Sequence, residues 1–255
     1  LSVDGGTIKL DGNYPVGTGN VALGDTALDS LTSGGNNTAV GTEALTSNAS
    51  GNANTAMGRA VLNSTTGSQN SGFGSLALYD NTSGQYNTAL GAEALTNNTT
   101  ASNNTAVGFQ AGYANTTGAY NTFLGDIAGR DNTTGSANTA VGYGSMFEGT
   151  TTGTSNTAVG SVSMQNLSSG SYNVAVGTDS LKANTTADNN TAVGFQAGYY
   201  TTTGYDNTAT GYAALYSNTD GFRNVANGHG ALYSNTTGDY NTASGRSSLY
   251  ANTTG

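Results

Sequence analysis

Asn104-Thr-Ala-Val-Gly-Phe-Gln-Ala-Gly-Tyr-Ala-Asn-Thr-Thr-Gly-Ala-Tyr120 is seventeen residues long, and the same pattern restarts at Asn121. Followed in both directions, the frame begins at Asn20, Asn37, Asn54, Asn70, Asn87, Asn104 and Asn121. It continues at Asn138, Asn156, Asn173, Asn190, Asn207, Asn224 and Asn241. The spacing is seventeen throughout, apart from sixteen between Asn54 and Asn70 and eighteen between Asn138 and Asn156. A fixed period of this length is the signature of a solenoid: one repeat cannot bury its own apolar face and must stack on its neighbours. Residues 20–255 therefore form one tandem-repeat array, and residues 1–19 form an N-terminal capping segment. The array stops at Gly255 inside its fourteenth copy with no closing cap, which points to a piece of a longer protein.

The consensus N-T-A-V-G-x-x-A-L-x-x-N-T-T-G-x-x is numbered from its first Asn. Positions 2 to 4 read as a short strand. Under the strand period of two, Thr at position 2 shares a face with the apolar residue at position 4. The expected core is position 4 (Val40, Val107, Val176) together with position 9 (Leu45, Leu62, Leu95). Ala at position 3 and Gly at position 5 would then face something that approaches closely. The second half of the repeat reads as another short strand or arc. N-T-T-G and the Gly of position 5 are turn chemistry, since Gly supplies positive φ and Asn tolerates it. Helix is excluded by the density of Gly, Asn and Thr.

The predicted fold is all-β: a parallel β-solenoid of about fourteen 17-residue coils spaced ~4.8 Å apart, with the position-1 asparagines stacked in a ladder. A core of one Val or Leu, one Leu and small alanines per coil is thin. The expectation is that other chains cover the Ala/Gly side, most simply in a homotrimer. Position 4 turns polar in the last three copies (Thr210, Asn227, Ser244), as if the core shifts toward nearby tyrosines or the chains pack differently there.

Charged residues make up 8% of the chain, against about 25% for an ordinary globular domain, which disfavours a compact α/β enzyme. The net charge is −9 with six Lys and Arg, so no basic face is available for nucleic acid or an anionic membrane. No apolar run approaches the ~18 residues of a spanning helix, so direct membrane insertion is not expected. Cysteine is absent. His229 is the only histidine and sits at variable position 6, which reads as surface. A Ser-His-Asp site needs one preorganised pocket that a uniform array does not offer. Neither the G-x-x-x-x-G-K-[ST] phosphate loop nor the G-G-x-G-x-D calcium pattern occurs. The expectation is no catalysis, no cofactor and no metal.

Aromatic residues fall in register. Tyr113, Tyr199, Tyr216, Tyr233 and Tyr250 occupy position 10, and Phe109, Tyr143, Phe195 and Tyr212 occupy position 6. The position-10 tyrosines are the candidate surface-contact or inter-chain ladder. Stacked tyrosines can bind sugars or a partner protein, or they can simply pack between coils. Thr recurs at positions 2, 13 and 14, which raises an ice-binding solenoid as another function. Against it, Thr at position 2 shares its face with the residue expected to be buried.

The units N-T-A-V-G and N-T-A-L-G are similar to the head repeats of trimeric autotransporter adhesins, which carry N-S-x-A-x-G motifs on a parallel β-roll with a shorter repeat. Ala231-Leu-Tyr-Ser-Asn-Thr-Thr-Gly238 and Asn190-Thr-Ala-Val-Gly-Phe-Gln-Ala-Gly-Tyr199 are closer in spacing. They resemble arrays in tail-fibre and other structural proteins of bacteriophages and in large bacterial surface proteins. The resemblance covers residues 20–255 and implies a trimeric rod at the virion surface or outside the cell. Other virion or surface components would sit at its ends, with a cell-surface glycan or protein as receptor. Such proteins often end in an intramolecular chaperone peptidase domain, which no segment here matches. A bacterial surface adhesin or extracellular filament subunit is the alternative.

Overall fold

The computed structural model describes residues 17–255, so most of the capping segment expected over 1–19 lies outside the described residues. The array divides after Asn121 into two compact units. The first holds β1 (Val21–Leu23), β2 (Thr38–Val40), β3 (Thr55–Met57), β4 (Ser71–Phe73), β5 (Thr88–Leu90) and β6 (Thr105–Val107). The second holds β7 (Thr122–Leu124), β8 (Thr139–Val141), β9 (Thr157–Val159), β10 (Val174–Val176), β11 (Thr191–Val193), β12 (Thr208–Thr210), β13 (Val225–Asn227) and β14 (Thr242–Ser244). No helix occurs among the described residues.

Within each unit the strands are parallel, stacked in sequence order, and paired position on position. In the first unit Thr38 faces Thr55, Ala39 faces Ala56 and Val40 faces Met57. The file continues through Phe73 and Leu90 to Val107. In the second unit Ala158, Ala175, Ala192, Ala209 and Ala226 form one continuous file. The chain is thus a parallel β-solenoid with one strand per coil. The irregular spacings are absorbed away from the strands. The short coil saves its residue at the turn: Asn54 Nδ2 reaches the Gly67 carbonyl thirteen residues on, where Asn37 and Asn87 reach theirs fourteen residues on. In the long coil Thr151, the fourteenth residue, bridges Asn132, the twelfth of its own coil, so two residues are inserted before it and one is recovered after it, a net gain of one.

The burial pattern reverses one expectation. Ala at position 3 is fully inside: Ala39, Ala56, Ala89, Ala106, Ala140, Ala158, Ala175 and Ala192 are all 0% exposed. The expected core residues Val40, Val107 and Val176 point outward instead, as do Met57 (47% exposed) and Leu90 (50%). The reason is parity. Asn at position 1 has its side chain inside, so position 3 follows it inward and positions 2 and 4 go out. Leu at position 9 is buried as expected, with Leu45, Leu62 and Leu95 at 0%.

Asn is held inside by its bonds. Asn87 donates its backbone N–H to Asn70 Oδ1 (3.0 Å) and its Nδ2 to the Ala101 carbonyl (2.8 Å), and its Oδ1 accepts from the Asn104 N–H (3.0 Å). The side chain ties the start of its coil to position 15 of the same coil and to the next coil, while its backbone N–H is held by the asparagine of the preceding one. A second ladder runs at position 12, where Asn98 Nδ2 donates to Asn81 Oδ1 (2.8 Å) and Asn115 Nδ2 to Asn98 Oδ1 (2.9 Å). Buried amides satisfied in this way avoid the desolvation cost of an unpaired group.

The second half of each coil is an arc and not a strand. Positions 7, 9 and 17 take left-handed backbone even where they are not glycine, as at Glu43 (φ 61°), Leu45 (φ 54°) and Ala53 (φ 54°). Left-handed backbone costs a β-carbon residue about 1–2 kcal/mol. Full burial of a Leu returns about 1.5–3 kcal/mol, which offsets it. The arc closes over the alanine file, so the Ala side is covered by the chain itself and not by a neighbouring chain. The close approach at position 5 is also internal: a Cβ added to Gly74 would lie 2.6 Å from the carbonyl carbon of Gly91 in the next coil.

Two coils depart from alanine at position 3, and each compensates. Phe123 replaces Ala, and Gly129 replaces Leu at position 9, where an added Cβ would collide with the Phe123 ring. Gly72 replaces Ala beneath Val61, whose Cγ1 would be 2.5 Å from the added Cβ.

Candidate functional site

Two surfaces stand out: the aromatic files of the second unit and the outer face of the strands.

The corner after each strand carries positions 6 and 10 at the surface. Because coils stack in register, residues one repeat apart meet face to face. Tyr199 stacks on Tyr216 with ring centroids 5.2 Å apart, Tyr216 on Tyr233 at 4.9 Å, and Tyr233 on Tyr250 at 4.8 Å. The planes of the last two pairs are within 5° and 7° of parallel. Tyr200 packs edge-on against Tyr199 (4.6 Å) and Tyr216 (5.2 Å). A second file runs Phe195, Tyr212 and His229, at 5.3 and 4.8 Å. A further pair, Tyr205 and Phe222, lies at 4.9 Å with planes 2° apart. The Tyr199 ring is approached by Lys182 Nζ at 5.6 Å, and the Lys182 ammonium pairs with Asp179 at 2.9 Å.

Four of the five expected ladder tyrosines are therefore brought together. Tyr113 belongs to the first unit, where position 10 of the preceding coil is Thr96, so no ring stands there to receive it. The stacking also limits what the file can do. Sugars pack on ring faces, and here successive tyrosines occupy one another's faces, leaving edges and hydroxyls toward solvent. His229 is exposed, as its position implies, and its ring is engaged by Tyr212.

Burial is the main cause that pushes the Tyr216 hydroxyl up to about 12, with the neighbouring Tyr200, Tyr233 and Tyr199 adding to it. A phenol whose folded value lies above its ordinary 10.0 favours the fold while protonated. Its contribution is complete below pH 10 and is lost as the pH rises toward about 12. Native-state titration of tyrosinate absorbance is expected to show a late-ionising phase that Tyr216→Phe removes. The unfolding midpoint should fall across the same range, and a flat stability profile there would contradict the assignment.

The strand face was missed by sequence reasoning. Positions 2 and 4 carry no charged residue in any of the fourteen strands. The hydroxyls of Thr38, Thr55, Thr88 and Thr105, and of Thr139, Thr157, Thr191 and Thr208, make no hydrogen bond among the described residues. The threonines of position 13 are used differently: Thr82 Oγ1 donates to the Thr99 carbonyl (2.9 Å), Thr99 to Thr116 (3.0 Å) and Thr202 to Thr219 (3.1 Å). Apolar side chains occupy position 4 in eleven of the fourteen strands, among them the exposed Leu90 in the first unit and Leu124 (45%) in the second. The signal was present in the sequence: a position that accepts Thr210, Asn227 and Ser244 is an outer position.

Among the described residues no group of three or more His, Cys, Asp or Glu side chains could hold a metal ion. No helix among them is long and apolar enough to cross a membrane. Comparison of the chain with protein-family models, with curated proteins and with solved structures finds no match.

Proposed function

We propose that this chain is a structural shaft element of a bacteriophage tail fibre or similar virion appendage, working outside the cell in support of attachment to a host surface. The observation that carries this reading is the direction of the hydrogen bonding. Strand ladders, arc amides and both asparagine files all run from coil to coil. Thr157 N–H reaches the Asn173 carbonyl at 2.8 Å, Met164 N–H the Ser180 carbonyl at 2.9 Å, and Asn173 N–H reaches back to Asn156 Oδ1 at 3.0 Å. Tension along the stacking direction is shared by many bonds per coil, and a mechanical element needs that property.

Homotrimeric assembly enters this reading through the likeness of the repeats to trimeric fibres. The closed core gives it no separate support, since each coil covers its own alanines. The test is the molar mass and shape of the particle in solution. Light scattering is expected to give three times the mass of one chain, and electron microscopy an elongated particle. A monomer would remove the trimer, and round particles would remove the shaft.

A further inference from the structure

We propose that the strand face of the second unit is an ice-binding surface whose ligand is crystalline water. The core run is β8 to β12, with Thr139/Val141, Thr157/Val159, Val174/Val176, Thr191/Val193 and Thr208/Thr210 at positions 2 and 4. The objection that Thr at position 2 lies on a buried face disappears once positions 2 and 4 are both outside.

Four properties converge on a lattice. The strands are in strict register, so each file repeats at the ~4.8 Å strand spacing, while the two files stand about 6.6 Å apart along the strand. These two repeats lie close to those of the oxygen rows on a prism face of hexagonal ice. Both files are uniformly β-branched across this run, and such side chains hold one preferred χ1, so little freedom is lost on docking to a rigid surface. Val174 keeps the methyl rank where a hydroxyl is missing. The position-2 hydroxyls have no partner among the described residues and are free to join a water lattice, whereas those at position 13 are already committed to carbonyls. Finally, the face carries no charge in a chain of net charge −9, and strongly hydrated ions would break an ice-like layer.

A second copy of this chain is the competing occupant. Protein interfaces are built around interdigitating aromatics, Met and Arg. This run of Thr and Val has none of these, which favours a lattice over a copy.

Thermal hysteresis and ice-recrystallisation inhibition are measured on the whole chain at millimolar concentration, with sedimentation alongside. The chain is expected to depress freezing without changing the melting point. Val159→Lys should cut hysteresis several-fold. Val159→Thr, which keeps the branch and adds a hydroxyl, should retain it and so separates lost binding from misfolding. Ser169→Lys, on an exposed turn, should leave it unchanged. Absence of both activities in the parent chain overturns the proposal, as does equal loss from Ser169→Lys. A dimer or trimer that Val159→Lys dissociates, with no ice activity in either form, assigns the face to a second copy and overturns it too. The ice activities themselves do not bear on the shaft reading; a trimer in sedimentation is what that reading expects, and only its dissociation by Val159→Lys assigns the strand face to a second copy.

Discussion

Replacing Asn156 with leucine is expected to destabilise the second unit by about 2–6 kcal/mol, the cost of two orphaned polar groups, with little change in side-chain volume. Asn156 is 0% exposed. Its Oδ1 receives the Asn173 backbone N–H at 3.0 Å, and its Nδ2 donates to the Gly170 carbonyl at 2.9 Å. Leucine fills the space but leaves those two groups without partners in the interior. Each such orphan costs about 1–3 kcal/mol, more than one hydrogen bond contributes net. Chemical denaturation followed by circular dichroism gives the global effect, with Ser169→Ala as a surface control. Hydrogen exchange gives the local one: the Asn173 amide should lose protection first. A loss within about 0.5 kcal/mol of the control, the usual range for surface substitutions, would show that the asparagine ladder is not a stability element.

Phe123→Ala is expected to cost about 3–5 kcal/mol, the range for removing a large buried aromatic side chain. Gly129→Leu alone is also expected to destabilise, because its Cβ would run into the Phe123 ring. The two together restore the pair found in most coils, Ala at position 3 and Leu at position 9. The double variant should therefore recover most of what each single change loses, even though Leu at φ near 58° carries left-handed strain. Eleven other coils place Leu or Met in that conformation at position 9. Coupling of this size is characteristic of residues sharing one cavity. Purely additive losses in a double-mutant cycle would mean that the two sites do not share the space.

The same exchange explains why the alanine file was hard to recognise as the core. Small residues in a repeat look like a surface awaiting a neighbour. Here they are small because the arc, with its Leu, already occupies the room. Position 4 looked like the core because Val, Leu and Met are the larger apolar residues. In a coil this flat, the inside has space for a methyl group beneath each strand and for one Leu from the opposite side.

The aromatic files divide in a similar way. Their regular spacing, one per repeat, showed in advance that Tyr199, Tyr216, Tyr233 and Tyr250 would lie in line. That the rings would consume one another's faces, leaving only edges for a ligand, depends on the tilt of each side chain and was not legible from spacing.

The sequence by itself determined the coil length, the place of each strand, the parallel register and the asparagine ladder, because a turn chemistry repeated at a fixed period leaves few other ways to stack. Which side of the strand faces inward was decided only by the tertiary structure. A period of two pairs position 2 with position 4 but does not choose their side. The choice is made by the position-1 asparagine, whose amide reaches across its own coil to the carbonyl of position 15. That bond exists only once the coil has closed, and closing it turns the threonines and valines outward.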